Sequence, residues 1–105
     1  MNVSVVLPSF NRARLLPITI PTYFQEDVSE VILVDDCSSD NTAEVVKELQ
    51  TRFPTLRYFR NEVNSKQPYT QNVAISKVQS EYIYFGDDDS VLYPGSIRNL
   101  LNVMR

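Results

Sequence analysis

Short apolar runs alternate with helical patterns along the whole chain, and this alternation most limits the folds open to it. Val3–Leu7 (VSVVL, stopped by Pro8) and Glu30–Asp35 (EVILVD) are near-continuous apolar runs, as expected of strands buried on both faces. Leu56–Arg60 (LRYFR) and Glu81–Gly86 (EYIYFG) predict a third and a fourth strand, the last rich in residues that suit a pleated surface. Helical segments lie between them. Over Arg12–Phe24 the spacing of Leu16, Ile20, Tyr23 and Phe24 is helical, while Pro17 and Pro21 predict a short or kinked element. Asn41–Phe53 carries Val45, Val46, Leu49 and Phe53 on one face, with Asn41 as the expected cap and Glu44 three residues later. Pro68–Val78 is expected to be a helix opened by its proline. Pro94 opens a last one, with Ile97, Leu100, Leu101 and Met104 on its apolar stripe.

Strand and helix alternating four times predict an α/β fold, a mostly parallel sheet with helices on both faces. The 105 residues fit one domain. Thirteen acidic against ten basic side chains give a net charge of −3, which argues against a nucleic-acid partner, since phosphate binding leaves a basic footprint. No apolar run approaches the roughly 20 residues of a membrane-spanning helix, and the N-terminus has the pattern of a strand, not a leader. A single Cys excludes an intrachain disulfide and predicts a reducing, cytoplasmic setting. With no His and no Trp, any chemistry falls to carboxylates, hydroxyls, amides and basic side chains. A Ser-His-Asp set is therefore excluded, and no phosphate-cradling glycine loop is present.

In such sheets ligands bind at the carboxyl ends of the strands. Here those ends read Pro8-Ser9-Phe10-Asn11-Arg12, Asp35-Asp36-Cys37-Ser38-Ser39-Asp40 and Asp87-Asp88-Asp89, so the five carboxylates directly after the strands (Asp35, Asp36, Asp87, Asp88 and Asp89) need a cation or a ligand's donors to offset their repulsion. Three aspartates on a turn are by themselves commonly just solvated, but directly after an apolar strand they can offer hard oxygen ligands to Mg²⁺ or Mn²⁺. Asp36 is placed either to accept N–H groups of a nucleobase or to cap the following helix. Phe10 either stacks on a base or joins the core, the commoner fate of such an aromatic. Arg12, Arg14 and Lys66 are the cations nearest these loops in sequence and can meet a phosphate or stay solvated. Cys37 has no CxxC partner and reads as inert, and Tyr58, Tyr82 and Tyr84 read as core or strand-face residues.

The segments VSVVLPSFNR (Val3–Arg12), EVILVDDCSSDNT (Glu30–Thr42) and EYIYFGDDDSVLYPGSI (Glu81–Ile97) together resemble, in order and spacing, the family 2 nucleotide-sugar-dependent glycosyltransferases of the GT-A fold. The resemblance covers nearly the whole chain. It implies a Rossmann-like nucleotide-binding half that receives a nucleotide-diphosphate sugar, a UDP-sugar in preference to a GDP-sugar. It implies that Pro8 and Phe10 border the nucleobase, that Asp36 binds its N–H edge, and that Arg12 belongs to the donor site. Asp87 or Asp88 would lie near the ribose and donor sugar. Asp89, with Asp87, would hold Mn²⁺ or Mg²⁺ in the family's DxD motif. The implied reaction is an inverting displacement at the anomeric carbon by an acceptor hydroxyl, with a carboxylate base.

Two departures accompany the resemblance. The family's N-x-G-x-x-x-A-R-N-x-G stretch reads NSKQPYTQNVA over Asn64–Ala74, without the usual Arg, and Lys66 offers a substitute phosphate contact. Family members also continue well past the DxD into an acceptor-binding half that carries the base. The expectation is therefore a donor-binding half, residues 1–105, whose catalytic base lies elsewhere. Either the chain is a donor-binding fragment, or it is a minimal protein whose acceptor side comes from a partner chain or through self-association; its expected working place is the cytoplasm or the inner face of a membrane. Two other readings compete. One is a nucleotide-binding or assembly module without chemistry. The other, more distant, is a Mg²⁺-binding phosphoacceptor domain of the receiver type, for which no fifth strand with a Lys is visible.

Overall fold

β1 (Val3–Ser9), β2 (Val28–Asp35), β3 (Leu56–Arg60) and β4 (Tyr82–Phe85) form one parallel sheet in the computed structural model, which describes residues 2–61 and 78–104. The order is β3-β2-β1-β4. The chain winds outward from β1 through β2 to β3 and then returns to the other side of β1. The direction of winding thus reverses between β1 and β4, which opens a crevice at their carboxyl ends. This is the order of a dinucleotide-binding half. A receiver domain would place its third strand beside β1, so the phosphoacceptor reading does not survive the topology.

Side-chain alternation along the strands divides the core. Val5, Leu7, Val31 and Leu33 point to one face, where α1 (Leu16–Tyr23) and α2 (Thr42–Arg52) cover them with Leu16, Ile20, Tyr23, Val46 and Leu49. Each of these buried leucines and isoleucines contributes about 1.5–3 kcal/mol relative to exposure. α3 (Ser96–Met104) joins the same face through Ile97 and Leu101, which meet Val3 beside Tyr82 and Tyr84. Leu100 remains 46% exposed, so the buried stripe of α3 is narrower than its spacing suggests. The opposite face carries Val6, Ile32 and Val34, flanked by Phe59 and Val78. The helix expected over Pro68–Val78 lies outside the described residues apart from Val78.

β1 runs two residues past Leu7, through the stop expected at Pro8. The Val6 carbonyl accepts the Gly86 N–H at 2.9 Å and so faces β4, whereas the Ser9 carbonyl accepts the Asp36 N–H at 2.8 Å and faces β2. Residues two apart face the same neighbour, so the missing donor of Pro8 faces β4, whose pairing has already ended at Val6↔Phe85. No ladder bond is lost.

The start of α2 also differs. Asn41 stands at the cap position but makes no side-chain cap bond. Asp40 does that work, accepting the Thr42 N–H at 3.1 Å and the Thr42 hydroxyl. Its other oxygen accepts the Ala13 N–H at 3.1 Å, which ties α2 to the segment after β1. These bonds outweigh the opposing effect of burial and hold the Asp40 carboxyl below the usual carboxylate range.

Candidate functional site

A cavity of about 490 Å³ opens at the carboxyl ends of β1, β2 and β4, lined by Pro8, Ser9, Phe10, Asn11, Arg12, Asp36, Asp87, Asp88 and Asp89. The topological reversal puts it there. All seven residues singled out from the sequence as donor or metal contacts border this one space. Arg14 lines a neighbouring cavity of about 520 Å³ with Arg12 and Asp40, and Lys66 lies outside the described residues with the rest of Asn64–Ala74.

Pro8, Phe10 and Asp36 line the cavity from the loops after β1 and β2. Phe10 does not take the core position that is the commoner fate of such an aromatic. It is 44% exposed, because the chain turns at Asn11 (φ 53°) directly after the strand. Asparagine tolerates this left-handed conformation better than most residues. Asp36 is mostly buried, and its Oδ1 accepts the Asn61 amide at 3.1 Å. It is therefore not a helix cap.

Asp35 departs from the expected five-carboxylate cluster. It is fully buried and turned away from the cavity. Its Oδ2 accepts the Tyr58 hydroxyl at 2.6 Å and Arg60 Nη1 at 3.0 Å. Its Oδ1 accepts the Ser38 N–H at 3.0 Å and the Ser38 hydroxyl. Burial and the bond to Asp35 push the Tyr58 phenol up to about 12. Ser38 Oγ in turn accepts the Asn11 N–H at 2.8 Å, and Asn11 Oδ1 accepts the Ser39 N–H at 2.8 Å. Arg60 Nη2 donates to the Ser38 carbonyl at 2.9 Å. The loops after β1 and β2 are thus bonded to each other and to β3. Cys37, left-handed at φ 64°, sits 3.9 Å from Arg60 Nη2 in this same loop.

The acidic turn after β4 lines the cavity as well. The Phe10 N–H approaches Asp88 Oδ2 at 3.4 Å, and Arg12 lies 3.6 Å from Asp88 and 4.0 Å from Asp89. Burial raises the Asp88 carboxyl above its ordinary value, opposed by the Ser9 hydroxyl, the Phe10 N–H and Arg12. The Ser9 hydroxyl is itself buried without a well-formed hydrogen bond among the described residues. The Asp89 side chain is half exposed. Among the described residues no three His, Cys, Asp or Glu side chains are arranged to hold a metal ion by themselves. The carboxylates present are hard oxygen donors, and Mg²⁺ or Mn²⁺ commonly takes one or two of these and completes its shell with phosphate oxygens and water. The donor set fits a cation that arrives with a diphosphate.

Several partners in this site were not singled out from sequence: Asn61, Arg60, Ser38 and the hydroxyl of Tyr58. Only Arg60 carried a signal, a cation closing a strand beside an acidic one.

Residues 4–105 match Glycosyl transferase family 2. The chain is 34% identical, over 94% of its length, to a GalNAc(5)-diNAcBac-PP-undecaprenol beta-1,3-glucosyltransferase of Campylobacter jejuni, and covers 33% of that protein. It is 32% identical, over 95% of its length, to the poly(ribitol-phosphate) beta-N-acetylglucosaminyltransferase TarP of Staphylococcus aureus, of which it covers 32%. It therefore spans about a third of the length of these two curated relatives. Among solved structures, S. aureus TarS 1-349 in complex with UDP-GlcNAc superposes with a TM-score of 0.86 at 25% identity, covering 99% of this chain and 31% of that one. The mannosyltransferase PcManGT from Pyrobaculum calidifontis, in complex with GDP-Man and Mn²⁺, shares the fold with a TM-score of 0.88 at 22% identity, covering 95% and 31%. By its matched length, its sheet order and these relatives, the chain belongs to glycosyl transferase family 2 and has the GT-A fold.

Proposed function

We propose that the cavity binds the nucleoside diphosphate of a sugar donor, and that the protein carrying this chain transfers that sugar to an acceptor hydroxyl with inversion. The observation that supports this most is the meeting of Asp36 with Asp87, Asp88 and Asp89 in one cavity that Pro8 and Phe10 also line. In this reading Pro8 and the exposed ring of Phe10 flank the base. Asp36, held by Asn61, accepts the base's N–H. Arg12 meets a phosphate, and Asp87 or Asp88 lies along the ribose and donor sugar. Asp89 and Asp87 would hold Mn²⁺ or Mg²⁺. A divalent cation there would neutralise charge developing on the departing nucleoside diphosphate.

A UDP-sugar is favoured by the likeness to TarS with its bound UDP-GlcNAc. The lining carboxylates are taken up by the base and the cation, so we place the general base for the acceptor hydroxyl on the acceptor-binding part of the protein or on a partner chain. Relatives about three times this length have room for such a part.

The base-reading role of Asp36 is tested with UDP, GDP and ADP. Uracil and guanine present a ring N–H to a carboxylate, whereas adenine presents an acceptor nitrogen there. Either UDP or GDP should bind at least about ten-fold more tightly than ADP, and Asp36→Ala should erase that difference. Equal binding of all three by the unaltered protein would rule out the assignment.

A further inference from the structure

The backbone of the acidic turn is anchored by side chains of α1. The Tyr23 hydroxyl donates to the Asp87 carbonyl and accepts the Asp87 N–H, both at 3.1 Å. The Thr19 hydroxyl donates to the Asp88 carbonyl at 3.0 Å, sharing its proton with the Leu15 carbonyl at 3.2 Å. Thr22 Oγ1 accepts the Leu92 N–H at 3.0 Å. Just past the helix, Gln25 donates to the Tyr93 carbonyl at 2.7 Å and accepts the Ile97 N–H at 3.2 Å. By contrast, the turn's own backbone bond, from the Ser90 N–H to the Asp87 carbonyl, is long at 3.5 Å.

Residues 19, 22 and 23 share one helical face, and Thr19 and Tyr23 are each 2% exposed. Their polar atoms are therefore committed to the turn. What they grip is backbone, so these bonds take up none of the three carboxylates, which line the cavity. Mg²⁺ and Mn²⁺ bind best to oxygens already in place, so a turn held in position binds them better than one that must be ordered.

We propose that Thr19 and Tyr23 are positioning residues that set the Asp87–Asp89 carboxylates for a metal-bound diphosphate. This rests on the donor-site reading above. Two alternatives differ in consequence. If both residues only fill the core, their hydroxyls matter for melting temperature alone. If they position the turn, their loss falls on the metal-dependent part of nucleotide affinity and spares the base end, which stands on Pro8, Phe10 and Asp36.

Calorimetric titration with UDP, with and without Mn²⁺, and with uridine separates these on the unaltered protein, Tyr23→Phe, Thr19→Val and Thr19→Ser; GDP and guanosine are run in parallel. Melting temperature is recorded for each, and titration is done well below it. Tyr23→Phe and Thr19→Val should each cut the Mn²⁺-dependent gain in affinity by roughly ten-fold while leaving nucleoside affinity within about two-fold. Thr19→Ser, which keeps the hydroxyl, should retain the gain. An unchanged gain in both Tyr23→Phe and Thr19→Val overturns the positioning role, as does a parallel loss of nucleoside binding. If the unaltered protein shows no Mn²⁺-dependent binding of UDP or GDP, the donor-site reading itself has failed.

Discussion

The Tyr58 hydroxyl donates a 2.6 Å hydrogen bond to Asp35, a carboxylate with no solvent exposure directly beneath the loop that carries Asp36. Ser38 and Arg60 complete its partners and connect it to the loop after β1 through Asn11. Removing the charge of a buried, fully bonded carboxylate is among the costlier substitutions. Asp35→Asn should therefore destabilise the fold by about 3 kcal/mol, and Tyr58→Phe by about 1–2 kcal/mol. Urea denaturation of the two variants measures both.

The same pair predicts an alkaline limb. The Tyr58 phenol rises from 10.0 to about 12 on folding, chiefly through burial. The unfolded chain therefore loses its proton first, and stability falls as pH climbs from 10 towards 12. Compared with the unaltered protein, Tyr58→Phe should melt with a shallower pH dependence across that window.

Glu30 predicts the acid side. Burial alone would raise its carboxyl, but the Ser4 hydroxyl at 2.5 Å, Arg57 at 2.8 Å and the Gln79 N–H at 3.0 Å outweigh it and the net shift is downward. On acidification the unfolded chain binds a proton first, so the stability from Glu30 is full above its ordinary value of 4.5 and is lost as pH falls below it. Glu30→Gln should cost about 1–3 kcal/mol at neutral pH and flatten the acid limb of a pH–melting curve.

Two glycines should respond to alanine for different reasons. A Cβ at Gly86 would lie 2.6 Å from Leu7 and 2.6 Å from the Tyr23 ring, both buried. Gly86→Ala should cost about 1–3 kcal/mol through overpacking and disturb the acidic turn that follows. Gly95 has open space around it but a φ of +82°, so Gly95→Ala should cost about 1–2 kcal/mol through backbone strain alone. Only the first should also weaken metal-dependent nucleotide binding.

Much of this was legible in the sequence. Uninterrupted apolar runs such as EVILVD mark strands buried on both faces, and their alternation with helical spacing dictates a parallel sheet. The carboxyl ends of those strands then carry the site by topology, which is why Pro8, Phe10, Arg12, Asp36 and Asp87–Asp89 meet in one cavity. What escaped depends on tertiary geometry. Pro8 continues β1 because β4 happens to end before its missing donor matters. Asp40 displaces Asn41 as the cap of α2 because it can reach the Ala13 N–H as well. Tyr23 counts in sequence as one apolar position of a helix, and nothing local reveals that its hydroxyl meets Asp87. Asp35 and Asp36 look alike in sequence, yet Asp35 closes β2 fully buried against Tyr58, Arg60 and Ser38, while Asp36, one residue past the strand, lines the cavity.

The proposed role of Asp89 as a metal ligand of the donor site is read out by calorimetric titration with UDP and GDP, with and without Mn²⁺, repeated on Asp89→Asn. One nucleotide should bind at least about ten-fold more tightly with Mn²⁺, and Asp89→Asn should lose this gain while keeping its melting temperature within a few degrees, as expected for a half-exposed side chain. Mn²⁺-dependent binding that survives intact in Asp89→Asn, or no binding of either nucleotide under any condition, would contradict it.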